Sequence, residues 1–200
     1  MASMVPIVPG RTLVVFYSRT GTTQNVAHAI REELGCDIDV IREDQRRGGV
    51  LGYMRSALDG TFQRPAVLRR MIRDLSHYDL VIVGTPIWSA SVSAPVRSYL
   101  EANRDRLRRV AFFCTHGGSG SARALRQMEE ICGRHPLVTM VLRTEEVRQD
   151  AFGPKIRAFA SALTNPTTSR DVPRSSAPDA ASFLGGGLGP ATQRVPSRSP

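Results

Sequence analysis

The sequence predicts an α/β protein of three layers, in which a doubly wound, five-stranded parallel sheet lies between two layers of helices. Three observations support this prediction. Short β-branched runs alternate along the chain with segments that repeat apolar residues at helical spacing. These runs are apolar at nearly every position, which is typical of strands covered on both faces. The 200 residues, 41% of them hydrophobic, are enough for one such domain.

Five strands and the helices between them follow from these patterns. The predicted strands cover residues 12–17, 38–41, 80–84, 110–114 and 137–142. A helix follows the first strand through Val26 to Leu34, and Gly35 ends it. Further helices are predicted near residues 66–75, 94–107, 121–133 and 153–163. Because strands alternate with helices, right-handed crossovers make the strands parallel.

Composition sets the limits of the domain. Residues 1–10 are interpreted as an N-terminal extension and residues 11–164 as the folded domain. From residue 165 to residue 200 Pro, Ser, Gly and Arg are frequent and apolar periodicity is lost, which predicts a disordered tail. The connection from residue 42 to residue 78 is longer than one crossover helix requires. It is interpreted either as a lid over a site or as a surface insertion.

The chain is strongly basic. It has 27 basic and 18 acidic side chains, a formal charge of +9, and 26 of the basic residues are arginines. Such a charge suggests a polyanion or an acidic protein as partner. The arginines, however, are scattered singly and in short pairs, which solvated helix faces explain, so nucleic-acid binding is not predicted.

The cysteines and the apolar runs exclude further classes. The three cysteines lie far apart and form no CxxC pair, so neither a structural zinc site nor a disulfide framework is expected. A reducing, cytoplasmic location fits this pattern. No apolar run approaches the roughly 20 residues that a membrane span needs, and the N-terminus lacks a signal-peptide pattern.

The loop after the first predicted strand carries hydroxyl residues around a glycine. It reads Ser18-Arg19-Thr20-Gly21-Thr22-Thr23 and leads into a helix. Backbone N–H groups and the dipole at a helix start favour an anion, and hydroxyls add donors without charge. Such donors suit a terminal phosphate monoester. The loop matches neither GxxxxGK[ST] nor GxGxxG, so neither a nucleoside triphosphate site of that type nor a dinucleotide fingerprint is indicated. An ordinary capped helix is the alternative, and Arg19 is expected to point into solvent.

The loop after the third predicted strand contains the one tryptophan of the chain. It reads Gly84-Thr85-Pro86-Ile87-Trp88-Ser89-Ala90-Ser91. An aromatic side chain in a polar loop at a strand end can stack on a planar ring. The alternative is a core tryptophan, which is the more frequent case in general.

The loop after the fourth predicted strand is rich in glycine. It reads Cys114-Thr115-His116-Gly117-Gly118-Ser119-Gly120-Ser121. Glycines allow the backbone to approach a ligand closely, so that its N–H groups can meet the carbonyl oxygens of a heteroaromatic ring. His116 can donate to such a ring or lie beside it, although a histidine without a catalytic role is more common. Cys114 is interpreted as a buried residue at a strand end.

A phosphate loop, an aromatic loop and a glycine-rich loop at one edge of a parallel sheet fit a flat ring with a phosphate tail, and FMN has that form. With the motifs LVVFYSRTGTTQNVA, YDLVIVGTPIWSASVSAPVRSYLE and AFFCTHGGSGSA, residues 11–163 resemble the flavodoxin family. The resemblance implies the strand order 2-1-3-4-5 and a bound FMN. It assigns the phosphate to Ser18, Thr20, Gly21, Thr22 and Thr23. It places the ring between Thr85, Pro86, Ile87 and Trp88 on one edge and Thr115, His116, Gly117 and Gly118 on the other.

Three functions remain open at this point. The first is a redox protein that transfers electrons through non-covalent FMN to a partner protein. The second is an FMN-dependent oxidoreductase of the NAD(P)H:quinone type, and the third is an interaction module that binds no flavin. Flavodoxins that carry electrons are usually acidic, and this chain departs from them in being basic.

Overall fold

The computed structural model describes residues 9–43 and 73–164. Its strands are Thr12–Phe16 (β1), Asp37–Val40 (β2), Leu80–Trp88 (β3), Ser91–Val92 (β4), Arg109–His116 (β5) and Thr139–Arg143 (β6). Its α-helices are Thr22–Leu34 (α1), Ala94–Asn103 (α2), Ser121–Cys132 (α3), Thr144–Arg148 (α4) and Gly153–Thr164 (α5). Short 3-10 turns occupy Pro9–Arg11, Leu75–His77 and Arg104–Arg106.

Five of the described strands form a parallel sheet in the order β2-β1-β3-β5-β6. This is the order 2-1-3-4-5 of the sequence prediction, and the α/β fold with its five parallel strands is confirmed. Strand β1 is in register with both of its neighbours, so that Val14 lies beside Ile38 on one side and Ile82 on the other. The two-residue strand β4 was not predicted, and it pairs antiparallel with the end of β3.

The hydrophobic core has two layers, one on each side of the sheet. Alternate residues of β1 enter opposite layers, so that Val14 and Phe16 belong to the layer with α1 and α5. Leu13 and Val15 belong to the layer with α2 and α3. Because both faces of β1 are covered, all five of its residues are buried. This is why an unbroken apolar run was a reliable signal for this strand.

Several predicted boundaries differ from the structure. Strand β3 runs four residues beyond the predicted end at residue 84, because Thr85 and Pro86 pair with Cys114 and Thr115 of β5. Helix α2 ends at Asn103 instead of residue 107, and a 3-10 turn follows it. The short helix α4 was not predicted. Helix α1 begins at Thr22, four residues before Val26. The remaining described boundaries agree to within about two residues.

Parts of three predictions fall outside the described residues. These are residues 1–8 of the extension, residues 44–72 of the long connection with most of the predicted helix 66–75, and the tail 165–200. Of that helix, residues 73–75 are described: residues 73 and 74 are not helical, and Leu75 begins a 3-10 turn. Arg73 is the first described residue after this connection. Its backbone N–H donates to Asp39 at 3.1 Å, and its guanidinium pairs with Asp37 at 2.6 Å. These contacts fix the end of the connection to the edge strand β2.

All three cysteines are buried thiols. Burial raises the pKa of Cys36 to about 11 and that of Cys114 to about 12, and it also raises the pKa of Cys132. A thiol with so high a pKa is protonated and unreactive near neutral pH. The interpretation of Cys114 as a buried strand-end cysteine is therefore confirmed. Within the described residues, no helix combines the length and apolarity that crossing a membrane requires.

Candidate functional site

Three loops that the sequence singled out meet in one cleft at the carboxyl edge of the sheet. The residues that line it are Arg19, Thr20, Thr22, Thr23, Pro86, Ile87, Trp88, Thr115, His116, Gly117 and Thr144. Nine of these were predicted site residues, and the structure brings them together from β1, β3 and β5. Four other predicted residues, Ser18, Gly21, Thr85 and Gly118, do not line the cleft. Arg19 and Thr144 do line it and were not predicted.

A second and larger hollow lies at the opposite edge of the sheet. Its volume is about 410 Å³, compared with about 150 Å³ for the cleft, and it is lined by Gly10, Arg31, Glu32, Gly35, Cys36 and Asp37. The hollow receives none of the three loops and lies at the amino ends of β1 and β2. Ligands of open parallel sheets bind at the carboxyl edge. The smaller cleft is therefore the candidate site.

The loop before α1 presents unpaired donors to the cleft. Gly21 has φ of +85°, a left-handed conformation that favours glycine, and it turns the chain into the first turn of α1. No side chain caps this helix start, so its first backbone N–H groups stay available. The hydroxyls of Thr20 and Thr22 stand 3.5 Å apart beside them. Hydroxyl and N–H donors at the positive end of a helix dipole suit a phosphate group.

A buried hydrogen bond joins this helix to β5. The hydroxyl oxygens of Thr23 and Thr115 are 2.8 Å apart, and both side chains are buried. The two residues are 92 positions apart in sequence. Each of them therefore fixes one loop relative to the other, in addition to lining the cleft.

The predicted aromatic loop is a β-hairpin. Trp88 is the last residue of β3, and the turn residues Ser89 and Ala90 both have left-handed backbones, with φ of 48° and 57°. At the base of the hairpin the Thr85 hydroxyl lies 3.0 Å from the Ser93 hydroxyl and accepts the Ser93 backbone N–H at 3.2 Å. Thr85 is fully buried. Its hydroxyl thus joins the two ends of the hairpin, and the predicted contact with a ring stays a prediction.

Two residues of the loop after β1 pack against Trp88. The ring of Tyr17 meets the indole edge-on, with centroids 5.9 Å apart and planes at 86°. The guanidinium carbon of Arg19 lies over the indole, 5.9 Å from its centroid. Arg19 is exposed, as predicted, and the prediction did not include its position over the indole. Trp88 remains partly exposed and forms a wall of the cleft.

The glycine-rich loop closes against the hairpin. Gly120 has φ of +96°, and a Cβ added there would lie 2.4 Å from Cα of Ala90. Only glycine permits this close approach. The side-chain oxygen of Gln127, on α3, accepts the backbone N–H of Val92 at 3.1 Å. Helix α3 thus holds β4 in place, and the hairpin carrying Trp88 is fixed from two sides.

Two polar atoms around the cleft are buried without a hydrogen-bond partner among the described residues. They are Oγ of Ser18, in the loop before α1, and Nδ1 of His116, at the end of β5. A buried polar atom without a partner costs about 1–3 kcal/mol, and a ligand or a water molecule can supply the missing contact. One atom lies in the loop rich in hydroxyls and the other beside the aromatic hairpin, which fits a ligand with a phosphate end and a polar ring.

The residues that sequence analysis missed had weak signals. Arg19 was visible within a predicted loop, but the direction of its side chain was not. Thr144 directly follows β6, and the general rule that strand ends line the site could have identified it. Ser93 and Gln127 act through contacts with residues 8 and 35 positions away, which a sequence pattern does not show.

The strained turn of the hairpin gives a stability prediction. We expect Ser89→Asn combined with Ala90→Gly to stabilise the protein by about 1 kcal/mol, because Asn-Gly suits two consecutive left-handed residues. Urea unfolding measures the change. Ala102→Gly, at an exposed position of α2, is the control and should lower stability by about 1 kcal/mol. No gain in the double variant would show that the turn carries no such strain.

A parallel sheet in the order β2-β1-β3-β5-β6, with a cleft at its carboxyl edge, is the architecture of a flavodoxin-like flavoprotein. A sequence profile of the family described as NADPH-dependent FMN reductase matches residues 12–150. The chain belongs to this family, and its cofactor is FMN. The resemblance to flavodoxin-like FMN-binding proteins is thereby confirmed.

Solved structures agree with this fold. A flavoprotein from Lactobacillus acidophilus, crystallised in complex with FMN, is 25% identical, with a TM-score of 0.54 over 70% of this chain and 97% of that chain. A flavoprotein from Bacteroides uniformis is 22% identical, with a TM-score of 0.56 over 72% and 99% of the two chains. Rubredoxin oxygen:oxidoreductase from Desulfovibrio gigas is 18% identical, with a TM-score of 0.51 over 79% of this chain and 36% of its own. No curated protein gives a significant match.

Proposed function

We propose that the protein is an FMN-dependent oxidoreductase that oxidises NAD(P)H and reduces a second substrate of the quinone type. Membership of the NADPH-dependent FMN reductase family is the observation that carries this proposal. When bound, FMN supplies the hydride and electron transfer. The protein contributes the binding site, the orientation of the ring and the charge around it.

We assign the cofactor contacts as follows. The phosphate end is held by backbone N–H groups at the start of α1 and by the hydroxyls beside them. The residues that supply these groups are Ser18, Thr20, Gly21, Thr22 and Thr23. The ring lies against the hairpin wall of Pro86, Ile87 and Trp88, which Thr85 supports from below. Its other edge meets the loop of Thr115, His116, Gly117 and Gly118. The partnerless Oγ of Ser18 and Nδ1 of His116 support this assignment, one in the phosphate loop and one in the ring loop.

The charge at the carboxyl edge of the sheet supports an anionic substrate. Four exposed arginines lie there. Arg19 and Arg42 follow β1 and β2, Arg143 ends β6, and Arg123 lies in the first turn of α3. The acidic residues Glu145 and Glu146 of α4 are paired with Arg148 and Lys155. Excess positive charge at the mouth of a cleft raises the association rate of an anionic ligand, and salt reduces this effect. NADPH carries several phosphate charges and fits this surface.

Loss of one hydroxyl at the phosphate end should weaken the binding of FMN and not that of riboflavin, which lacks the phosphate. We expect Thr20→Val to weaken FMN binding about 10- to 100-fold, because a hydrogen bond to a charged group contributes about 1.5–3 kcal/mol. Riboflavin binding should be unchanged. Fluorescence titration of the apoprotein with each flavin measures both constants. Thr139→Val, at an exposed position of β6 outside the cleft, is the matched control.

The outcome that contradicts the phosphate assignment is an equal loss of FMN and riboflavin in Thr20→Val. Equal losses would place Thr20 beside the ring. Unchanged affinity for both flavins would remove Thr20 from the site.

Steady-state kinetics of the FMN-loaded protein test the proposed reaction. We expect NADPH oxidation that depends on a quinone acceptor, with kcat/KM falling as ionic strength rises because arginines attract the dinucleotide. The apoprotein is the control for flavin dependence. Absence of turnover with both NADPH and NADH, in a protein that binds FMN, would contradict this proposal.

An electron carrier without its own NAD(P)H activity is the second candidate. The formal charge of +9 favours it only with an acidic partner protein, because two basic surfaces repel each other. Reduction of the bound FMN by a reductase and not by NADPH would favour this candidate. The third hypothesis, a module without flavin, does not agree with the family.

The predicted location and domain limits remain proposals. A cytoplasmic location fits three thiols with no disulfide among them. The domain limits 11–164 fit a core whose last described buried residue is Leu163. The role of the connection 42–78 as a lid or as an insertion also stays a prediction.

A further inference from the structure

Arg19 and Tyr17 bring the loop after β1 into contact with Trp88 of the hairpin. The two residues are two positions apart, and β1 lies directly beside β3, with the Tyr17 backbone N–H donating to the Gly84 carbonyl at 3.2 Å. Tyr17 meets the indole edge-on and the Arg19 guanidinium lies over it, each at 5.9 Å between centres. The orientation of the indole is therefore set by residues of the loop after β1.

We propose that Arg19 is a positioning residue for the flavin ring: its guanidinium holds the indole of Trp88 in the orientation that the ring requires. This inference rests on the proposed cofactor site. It places the action of Arg19 at the ring end of the ligand, although its sequence neighbours serve the phosphate end.

The position of Trp88 explains why such a residue is needed. The side chain is partly exposed and stands at the end of a strand, next to a turn of two left-handed residues. A side chain in such a place loses rotamer freedom when a ligand packs on it, and this loss weakens binding. A cation over the indole face attracts the ring electrostatically and restricts the indole before the ligand arrives. Restricting it in advance removes part of that cost.

The chemistry of the guanidinium suits this role better than that of an ammonium. Arginine is planar and stacks on aromatic faces, whereas lysine presents a compact, strongly hydrated charge. The phosphate end already has the hydroxyls of Thr20 and Thr22 and the N–H groups of α1. A guanidinium placed over the indole therefore acts at the other end of the ligand, through Trp88.

The test uses the apoprotein, because Trp88 is the one tryptophan of the chain and its emission reports this site alone. Fluorescence anisotropy and acrylamide quenching measure the mobility and accessibility of the indole. In Arg19→Met we expect the anisotropy to fall and the quenching to rise, because the indole becomes more mobile and more accessible. In Arg19→Lys both values should lie between those of Arg19→Met and those of the unmodified protein. Arg126→Met, an exposed arginine of α3 outside the cleft, should leave both unchanged. Matching thermal unfolding in all variants excludes a general loss of structure.

Flavin titrations complete the test. Arg19→Met should weaken FMN and riboflavin by the same factor, about two- to fivefold, which is the range of an exposed cation–π contact. Loss of FMN alone, with unchanged Trp88 anisotropy, would make Arg19 a phosphate ligand and overturn the proposal. Unchanged anisotropy and unchanged affinity for both flavins would overturn it as well. Failure of the unmodified protein to bind FMN would instead contradict the proposed function itself.

Discussion

Gly84→Ala is expected to destabilise the protein by about 2–3 kcal/mol. Gly84 is in the centre of the sheet, in register with Phe16 of β1 and Phe113 of β5. A Cβ added at Gly84 would lie 2.0 Å from Cζ of Phe113. Both phenylalanines are buried in the core layer with α1 and α5, so their rings have little room to move. Overpacking of a closed core typically costs this amount.

Urea unfolding of the variant measures the loss. Phe113→Leu in the Gly84→Ala background should recover part of it, because the shorter side chain makes room for the added methyl group. Gly118→Ala is the control, since nothing lies within 4 Å of a Cβ added there. Equal stabilities of Gly84→Ala and the unmodified protein would show that the rings do not pack against Gly84 as described.

Trp88→Ala is expected to weaken FMN binding about 10- to 100-fold. The indole is the largest aromatic wall of the cleft, and its removal takes away both stacking and apolar contact with a ring. Trp88→Phe should give an intermediate loss, because a smaller aromatic face remains. The variants lack the tryptophan signal, so the emission of FMN itself measures the dissociation constant.

The control for this prediction is stability. Trp88 is partly exposed, so Trp88→Ala should change the free energy of unfolding far less than Gly84→Ala does. The affinity of the variant for riboflavin should fall by as much as its affinity for FMN. An equal fall distinguishes a residue of the ring wall from a residue of the phosphate loop. An FMN dissociation constant within twofold of the unmodified value would show that the hairpin does not form the ring wall.

The sequence was sufficient for the parallel sheet because its strands are apolar on both faces. The run Thr12–Phe16 is buried at all five positions, as expected of a strand with helices on both sides. The hairpin was missed for a physical reason. Pro86 and its sequence neighbours indicate a turn, yet Pro86 lies in β3 and pairs with Thr115 of β5. The pairing that extends β3 joins residues far apart in sequence.

The site was predictable in its composition and not in its detail. Strand-end rules brought the correct three loops together, because parallel strands present their carboxyl ends at one edge. The rules could not show that the buried hydroxyl of Thr85 is hydrogen-bonded to Ser93, or that the hydroxyl of Thr23 is hydrogen-bonded to that of Thr115. They also did not show that the guanidinium of Arg19 lies over Trp88. Each of these depends on contacts between separate segments.

The positive charge is less evenly distributed than the scattered arginines suggested. Residues 9–43 and 73–164 together have 17 basic and 14 acidic side chains, a formal charge of +3. Residues 44–72 have six arginines and two aspartates, and residues 165–200 have four arginines and two aspartates. Most of the excess charge is therefore on the long connection and the C-terminal segment. A formal charge of +3 over the described residues does not indicate a nucleic-acid-binding surface on that part of the chain.

Reconstitution with FMN tests the central claim most directly. The purified apoprotein is mixed with excess FMN, desalted and examined for flavin absorbance and for Trp88 emission. We predict one FMN retained per chain and strong quenching of the single tryptophan, because the ring lies against it. Recovery of all flavin in the low-molecular-weight fraction, with unchanged tryptophan emission, would contradict the assignment of this cleft as an FMN site.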